Sequence, residues 1–277
     1  MHAAAAWAGR GAVTGPRRIV CLTEEPTETL YALGEAARIV GISGFTVRPP
    51  RARREKPKVS AFTSAKIDEI LRLKPDFVIG FSDMQADIAA ELVRRGVEVW
   101  IANHRSVAGI LDYIRRLGAL VGVAEKAHAY ADGLQRGLAA IAAEAARLPR
   151  RPKVYFEEWD APPITGIGWV SELIAIAGGD DIFPEHAAEP LARQRILADA
   201  GEVVRRAPEI VIGSWCGKKF RPEKVAARPG WSAIPAVRDG ESHEVKSPLI
   251  LQPGPAALTD GVGELARIVR AWAVRRR

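Results

Sequence analysis

Cysteine, histidine and long apolar runs are all scarce in this chain, and each scarcity removes a class of function. There are two cysteines, Cys21 and Cys216, in 277 residues. Neither has a second cysteine at C-x-x-C spacing, which excludes a zinc ribbon and a dithiol redox motif. Whether the two pair with each other depends on the fold, so the count leaves the redox compartment open. The five histidines are scattered, and no two stand three or four residues apart. A resident metal site is therefore not expected. No run of about 18 apolar residues occurs, so no segment is expected to span a membrane. A P-loop, G-x-S-x-G, H-E-x-x-H and a dinucleotide fingerprint are all missing. No nucleophile with a partnered base is visible, and no catalytic residue is assigned.

What remains is ordinary globular composition, 48% hydrophobic and 26% charged. That is enough for one large or two medium domains, each with its own core. The net charge of +7 concentrates in Arg48 to Lys58 and in Arg275-Arg276-Arg277. No aromatics interleave with these clusters, so they read as a solvated loop and a helix C-terminus rather than a nucleic-acid surface. The opening MHAAAAWAGRGAVTGPRR puts its short apolar patch before its basic residues, the reverse of a secretion signal. Residues 1–17 are expected to be a disordered tail. A cysteine on an apolar stretch such as Arg18 to Thr23 is expected to be a buried small hydrophobe.

One stretch is used twice. Asp68 to Gly80 reads DEILRLKPDFVIG, and Gly201 to Gly213 reads GEVVRRAPEIVIG. An acidic residue opens a short helix, the position before proline leaves the right-handed helical region, and an apolar strand ends at glycine. Each copy delivers a loop at the carboxyl end of a parallel strand, where open α/β sheets bind ligands. Strand and helix alternate from Arg18 to Val121, which predicts a parallel sheet covered on both faces. Ser106 is expected to cap a helix reaching Leu120. Ala124 to Leu148 then reads as one long helix, with apolar positions every three or four residues. The alternation restarts at Lys153 to Glu157, followed by a loop carrying Trp159 to Pro163, a helix from Trp169 to Ala177, an irregular stretch 180–198 and a last helix from Pro255. The expected organisation is a tail (1–17), an N-terminal lobe (18–123), a connecting helix (124–150) and a C-terminal lobe (151–277).

Aromatics gather at strand ends and in loops: Phe45, Phe62, Phe81, Trp159 and Trp215, with Trp169 opening a helix. Such a set suits the flat walls of a ligand cleft. Glu157, Glu158 and Asp160 cluster beside Trp159, as a polar rim or as plain loop acidity. An enzyme reading would couple Glu157 or Glu158 to Cys216.

The whole pattern resembles a known family. RIVCLTEEPTETLYALG, GISGFTVRPP, KVSAFTSAKIDEILRLKPDFVIG, the long helix, PPITGIGWVSELIAIAGGDDIF, GEVVRRAPEIVIG and ILQPGPAALTDGVGELARIV occur in an order similar to that of substrate-binding proteins of ABC importers. Within these the resemblance is to vitamin B12-binding proteins and their siderophore- and haem-binding relatives. It implies an α/β fold of two similar Rossmann-like lobes joined by a single long backbone helix, the class III periplasmic-binding-protein form, with little lobe closure. It implies a monomer, no enzymatic activity and no resident cofactor, with a corrinoid (cobalamin or cobinamide) held between the lobes. A ferric siderophore or haem is the alternative ligand. By motif position Phe62 falls on an aromatic wall, while Arg48 and Arg195 fall where a tyrosine and a tryptophan commonly lie. The expected ligand residues are Phe45, Arg48, Phe62, Phe81, Glu158, Trp159, Asp160, Trp169, Arg195, Trp215 and Lys218, with His104 as a candidate cobalt ligand. An ABC permease would dock on Asp68 and on Glu202, which stands one residue beyond the family's acidic position. The family is periplasmic, whereas the N-terminus shows no signal, so a cytoplasmic location is the alternative.

Overall fold

The fold grows from short β-branched runs buried on both faces, the mark of parallel strands sandwiched between helices. It is described here for residues 15–276 of a computed structural model. In the first half, β1 (Ile19–Cys21) leads to α1 (Glu24–Ala32), whose first turn carries Glu24 and Glu25. Next come β2 (Ile39–Ser43), the single turn α2 (Ala52–Glu55), β3 (Lys58–Ala61), β4 (Ser64–Ala65) and α3 (Ile67–Arg72). Then follow β5 (Phe77–Phe81), α4 (Ala86–Arg94), β6 (Val99–Ala102) and α5 (Val107–Leu120). The strand order is β4-β3-β2-β1-β5-β6, parallel except for β4. Ser106 caps α5 as expected, its Oγ accepting from the Gly109 N–H at 3.0 Å.

The long helix α6 (Ala124–Ala145) has 22 residues, about 33 Å of rise. Its buried face is Ala127, Ala131, Leu134, Leu138 and Ala145. The second half opens with β7 (Lys153–Asp160), β8 (Pro163–Thr165), α7 (Gly168–Ile176), β9 (Asp180–Asp181), α8 (Pro184–Ala187) and α9 (Gly201–Arg206). It closes with β10 (Ile210–Gly213), α10 (Pro222–Ala226), α11 (Pro235–Arg238), β11 (Ser242–Glu244), α12 (Ser247–Ile250) and α13 (Val262–Arg275). Its sheet runs β11-β10-β7-β8, with β9 also paired to β7. One apolar core is continuous from Ile19 and Ile79 of the first sheet through Leu134 and Leu138 of α6 to Phe156 and Ile212 of the second.

The repeated stretch is a repeat in three dimensions. Lys74 and Ala207, each before its proline, both take left-handed backbone, φ 46° and 48°. The chain therefore leaves α3 and α9 by a left-handed residue rather than by the extended one a following proline usually imposes. The acids after the prolines do the same task. Asp76 accepts from the Arg17 and Arg18 N–H groups, both at 2.8 Å, and Glu209 accepts from the Lys153 N–H at 3.1 Å. Each carboxylate thus fastens the start of its sheet's central strand. The glycines close both copies by proximity: a Cβ on Gly80 would collide with Gln85, and one on Gly213 with Phe220.

Three expectations need correction. Trp159 and Asp160 are not loop residues. The alternating Lys153–Asp160 run is a single strand that turns into an antiparallel hairpin, pairing Trp159 with Ile164 and Asp160 with Pro163. Pro163 is tolerated because β8 lies at the sheet's edge. The stretch 180–198 contains β9 and α8, and the Arg48 to Lys58 loop contains α2. The last helix opens at Pro255 as expected, with a π-helical turn, Ala257–Gly261, set between its first residues and α13. Of the expected tail, residues 1–14 lie outside the described residues. The Pro16 carbonyl and the Arg17 N–H both bond to the fold, with Arg38 and Asp76.

Candidate functional site

The carboxyl ends of the central strands of both sheets face each other. A cleft of about 300 Å³ lies between them. The loop after β3 supplies Phe62, the last residue of β5 is Phe81, and the loop after β6 supplies Arg105. From the other side come Glu158 of β7, Trp169 of α7, Leu251, and Leu191 to Arg195. Gln85, fully buried, sets the two phenylalanines in register. Its side-chain carbonyl accepts from the Phe81 N–H at 2.9 Å, and its amide donates to the Phe62 carbonyl at 2.9 Å. Ser82, next along, holds φ 68°, a strained conformation of the kind found where backbone serves a site.

Phe81 is the hub of the aromatic wall. It meets Trp169 edge-on at 6.3 Å and His104 at 5.3 Å, and the Arg105 guanidinium sits 4.7 Å over its face. Trp169 is pinned by donating its indole N–H to the Ile250 carbonyl at 2.8 Å. Arg105 donates to the Pro190 carbonyl at 3.1 Å and so ties the two sides of the cleft together. Burial, aided by the charge of Arg195 and opposed by those of Asp83 and Glu158, leaves Arg105 below the ordinary arginine pKa. Arg195, 1% exposed, pairs with Glu158 at 2.6 Å and donates to the Thr165 carbonyl, while its Nε has no partner among the described residues.

Phe62, Phe81, Glu158, Trp169 and Arg195 therefore come together as expected. The others do not. Phe45 is 52% exposed and does not line the cleft. Arg48 lines a separate lateral hollow of about 430 Å³, paired to Glu28 at 2.9 Å and to Asp260 at 2.7 Å. That hollow is larger than the cleft, but it lies on the flank of α1 beside Tyr130 of α6, away from the strand ends. Trp159 lies under the Lys218 ammonium, 3.8 Å from its ring centre, and Lys218 pairs with Asp160. Burial raises the Asp160 pKa, but the hydrogen bond and charge of Lys218 outweigh it and hold the group below the ordinary value. Trp215 is buried in the second half's own core and donates to Glu157.

The enzyme alternative fails on geometry. Glu157, 0% exposed, is saturated by four donors: Arg228 twice, at 2.6 and 2.9 Å, the Tyr155 hydroxyl at 2.8 Å and the Trp215 indole at 3.0 Å. Cys216 is a free thiol, as is Cys21, and burial pushes its pKa up rather than down. His104 is also committed. Its Nε2 is 2.9 Å from the Pro253 carbonyl, and its ring stacks on Tyr113. Burial lowers its pKa to about 4, so it is neutral, with the Nε2 proton on that carbonyl rather than a lone pair aimed at a metal.

Arg105, Met84, Ile167, Arg193 and Leu251 line the cleft without having been singled out in the sequence. Arg105 had one signal: it follows a strand on the carboxyl side of the sheet. Arg193 had none, because the segment that carries it shows no periodicity. Of the docking acids, Asp68 is exposed on the first turn of α3 and has no partner among the described residues. Glu202 is tied to Arg205 at 2.5 Å and Arg206 at 2.9 Å.

Residues 19–248 match the model of a family described as periplasmic binding protein. The chain belongs to the periplasmic binding protein family. It is 25% identical over 263 residues to an ABC transporter substrate-binding lipoprotein, YvrC, of Bacillus subtilis, covering 92% of this chain and 80% of that one. It is 23% identical to a vitamin B12-binding protein of Vibrio vulnificus, covering 87% and 86%. Among solved structures, the vitamin B12-binding protein BtuF of Vibrio cholerae superposes with a TM-score of 0.73 at 22% identity, over 94% and 98% of the two chains. A haem-binding protein of Pseudomonas aeruginosa superposes with 0.78 at 21%, over 93% and 94%. At such identity the structures establish the fold, two lobes joined by a backbone helix. As a member of this family the chain is a substrate-binding protein of the ABC-importer type and not an enzyme. No helix among the described residues is long and apolar enough to cross a membrane.

Proposed function

We propose that this binding protein carries a corrinoid in the inter-lobe cleft and delivers it to an ABC permease outside the cytoplasmic membrane. The observation that carries the reading is the composition of the cleft walls. Phe62 and Phe81 on one side and Trp169 on the other line it with aromatic carbon, Phe62 half-buried and the other two 6% and 2% exposed, while the nearby imidazole of His104 is turned away onto Pro253. Such walls suit a planar macrocycle whose metal arrives with its coordination already complete. Several relatives carry the name vitamin B12-binding protein. At about 300 Å³ the cleft is at the small end for ligand sites. A corrin ring then enters edge first, with its far side in solvent or the lobes held slightly wider apart.

The lobes are taken as residues 18–123 and 151–277, with 124–150 between them. Asp68 is the permease contact of the first lobe and Glu202 that of the second. The bonds of Glu202 to Arg205 and Arg206 make it the weaker of the two. A second reading is an anionic ferric siderophore or haem. It is favoured by Arg105, Arg193 and Arg195, set in the cleft against Asp83 and Glu158.

Titration of the purified protein with cyanocobalamin, followed by tryptophan fluorescence, tests the first reading. Saturable quenching at micromolar concentration or below, weakened in Phe62→Ala, supports it. No quenching by cyanocobalamin, together with quenching by an anionic ferric chelate, replaces it with the second.

A further inference from the structure

Beneath the cleft the first turn of α1 meets the other half of the chain. Glu24 is 8% exposed and Glu25 1%. Glu24 accepts from the Gln252 side-chain amide at 2.9 Å, across the two halves. Glu25 Oε1 accepts from the Thr23 hydroxyl at 2.6 Å, whereas Oε2 is buried with no partner among the described residues. Gly254 is pressed against this turn so closely that a Cβ there would lie 2.7 Å from that of Glu25. One turn later, Glu28 accepts from the Ala256 N–H at 3.1 Å, again across the halves.

The groups facing the two acids offer little to an anion. From β1 there is the buried Cys21 thiol, faced in turn by Lys56. From α5 there is Tyr113, whose buried hydroxyl also lacks a partner among the described residues. From the loop after β10 there is Cys216. A buried carboxylate oxygen without a donor is costly, and two adjacent carboxylates repel. Protonation removes the repulsion and the buried charge, leaving at Glu25 Oε2 only a neutral polar atom, which is far less costly to bury.

We propose that Glu24 and Glu25 form a protonation latch between the two halves: as carboxylic acids they seal the junction under the cleft, and their ionisation loosens it. Burial pushes Glu24 up to about 7. It pushes Glu25 up to about 8, with the neighbouring Glu24 charge adding to the rise. Both folded values exceed the ordinary 4.5, so the native state holds more protons than the unfolded chain above that pH. The stabilisation is complete below about pH 4.5 and is lost as pH rises through 7 to 8. His104 contributes in the opposite sense: its folded pKa lies below 6.5, so its stabilisation is lost as pH falls from there towards 4. The readout is therefore the difference between wild type and a variant that leaves His104 untouched.

The test compares melting temperatures of the wild type and Glu24→Gln/Glu25→Gln from pH 5 to pH 9. The wild type is expected to lose on the order of 5–10 °C relative to the variant across this range. Parallel curves overturn the latch. Hydrogen exchange at the Gly254 and Ala256 amides, corrected for intrinsic base catalysis, is expected to quicken over the same window in the wild type only. Exchange that does not respond to pH overturns the loosening. Should the double variant fail to fold, difference infrared spectroscopy of the wild type decides. Protonated carboxyl bands that persist at pH 6 and vanish by pH 9 support the latch, and their absence at pH 6 overturns it.

Discussion

Replacing Arg228 by methionine should be among the most damaging single changes available outside the apolar core. Arg228 is the cationic partner of Glu157, whose side chain is 0% exposed while that of Arg228 is 17% exposed. A carboxylate has about four acceptor positions, and here all are filled, two by the guanidinium and two by Tyr155 and Trp215. Arg228→Met leaves the charge buried with two neutral donors. Breaking one side of a buried pair costs about 3–5 kcal/mol. At about 2–4 °C per kcal/mol for a chain of this size, the melting temperature should fall on the order of 10 °C. Thermal denaturation followed by circular dichroism measures this. Arg228→Lys should recover only part of the loss, since lysine keeps the charge but not the two-pronged bond. Glu157→Met/Arg228→Met should recover more, because no uncompensated charge remains. A loss below about 1 kcal/mol for Arg228→Met would refute the reasoning, since a single buried carboxylate stripped of its cation cannot be that cheap.

Three further outcomes are expected. Phe62→Ala or Phe81→Ala should weaken corrinoid binding by about 2 kcal/mol, roughly 30-fold in Kd, with little change in melting temperature for the half-buried Phe62; unchanged affinity in titration calorimetry would remove them from the ligand wall. Cys216→Ser should leave ligand affinity unchanged, and thiol titration of the unfolded wild type should find two free thiols; a single disulfide would contradict the buried, separate placement of Cys21. Asp68→Lys should reduce permease-coupled uptake by tenfold or more without altering ligand affinity, and Glu202→Lys by much less; equal effects would show that the ion pairs of Glu202 do not withhold it from docking.

The fold was legible in the sequence to the extent that local chemistry decided it. The repeat, its prolines and its closing glycines announced two helix–strand units, and the close approaches at Gly80 and Gly213 explain why nothing larger stands there. The apolar spacing of α6 announced the connector. Legibility ended where partners came from afar. Trp159 and Trp215 carried the same loop-end signature as Phe62 and Phe81, yet Lys218 and Glu157 claim them. Arg48 was placed by Glu28 and Asp260, the latter more than two hundred residues away. Gln85, which aligns both wall phenylalanines, lay inside the strand–helix alternation with no signal of its own. Burial of Glu24 and Glu25 was equally hidden, because two acids opening a helix normally face water.

Titration calorimetry of the purified protein against cyanocobalamin, cobinamide, haem and an anionic ferric siderophore tests the central claim most directly. The account predicts saturable, one-to-one binding of the corrinoids, weakened in Phe62→Ala, and no comparable binding of the other two. Binding of haem or the ferric chelate alone, lost on Arg193→Ala and indifferent to Phe62, would contradict it.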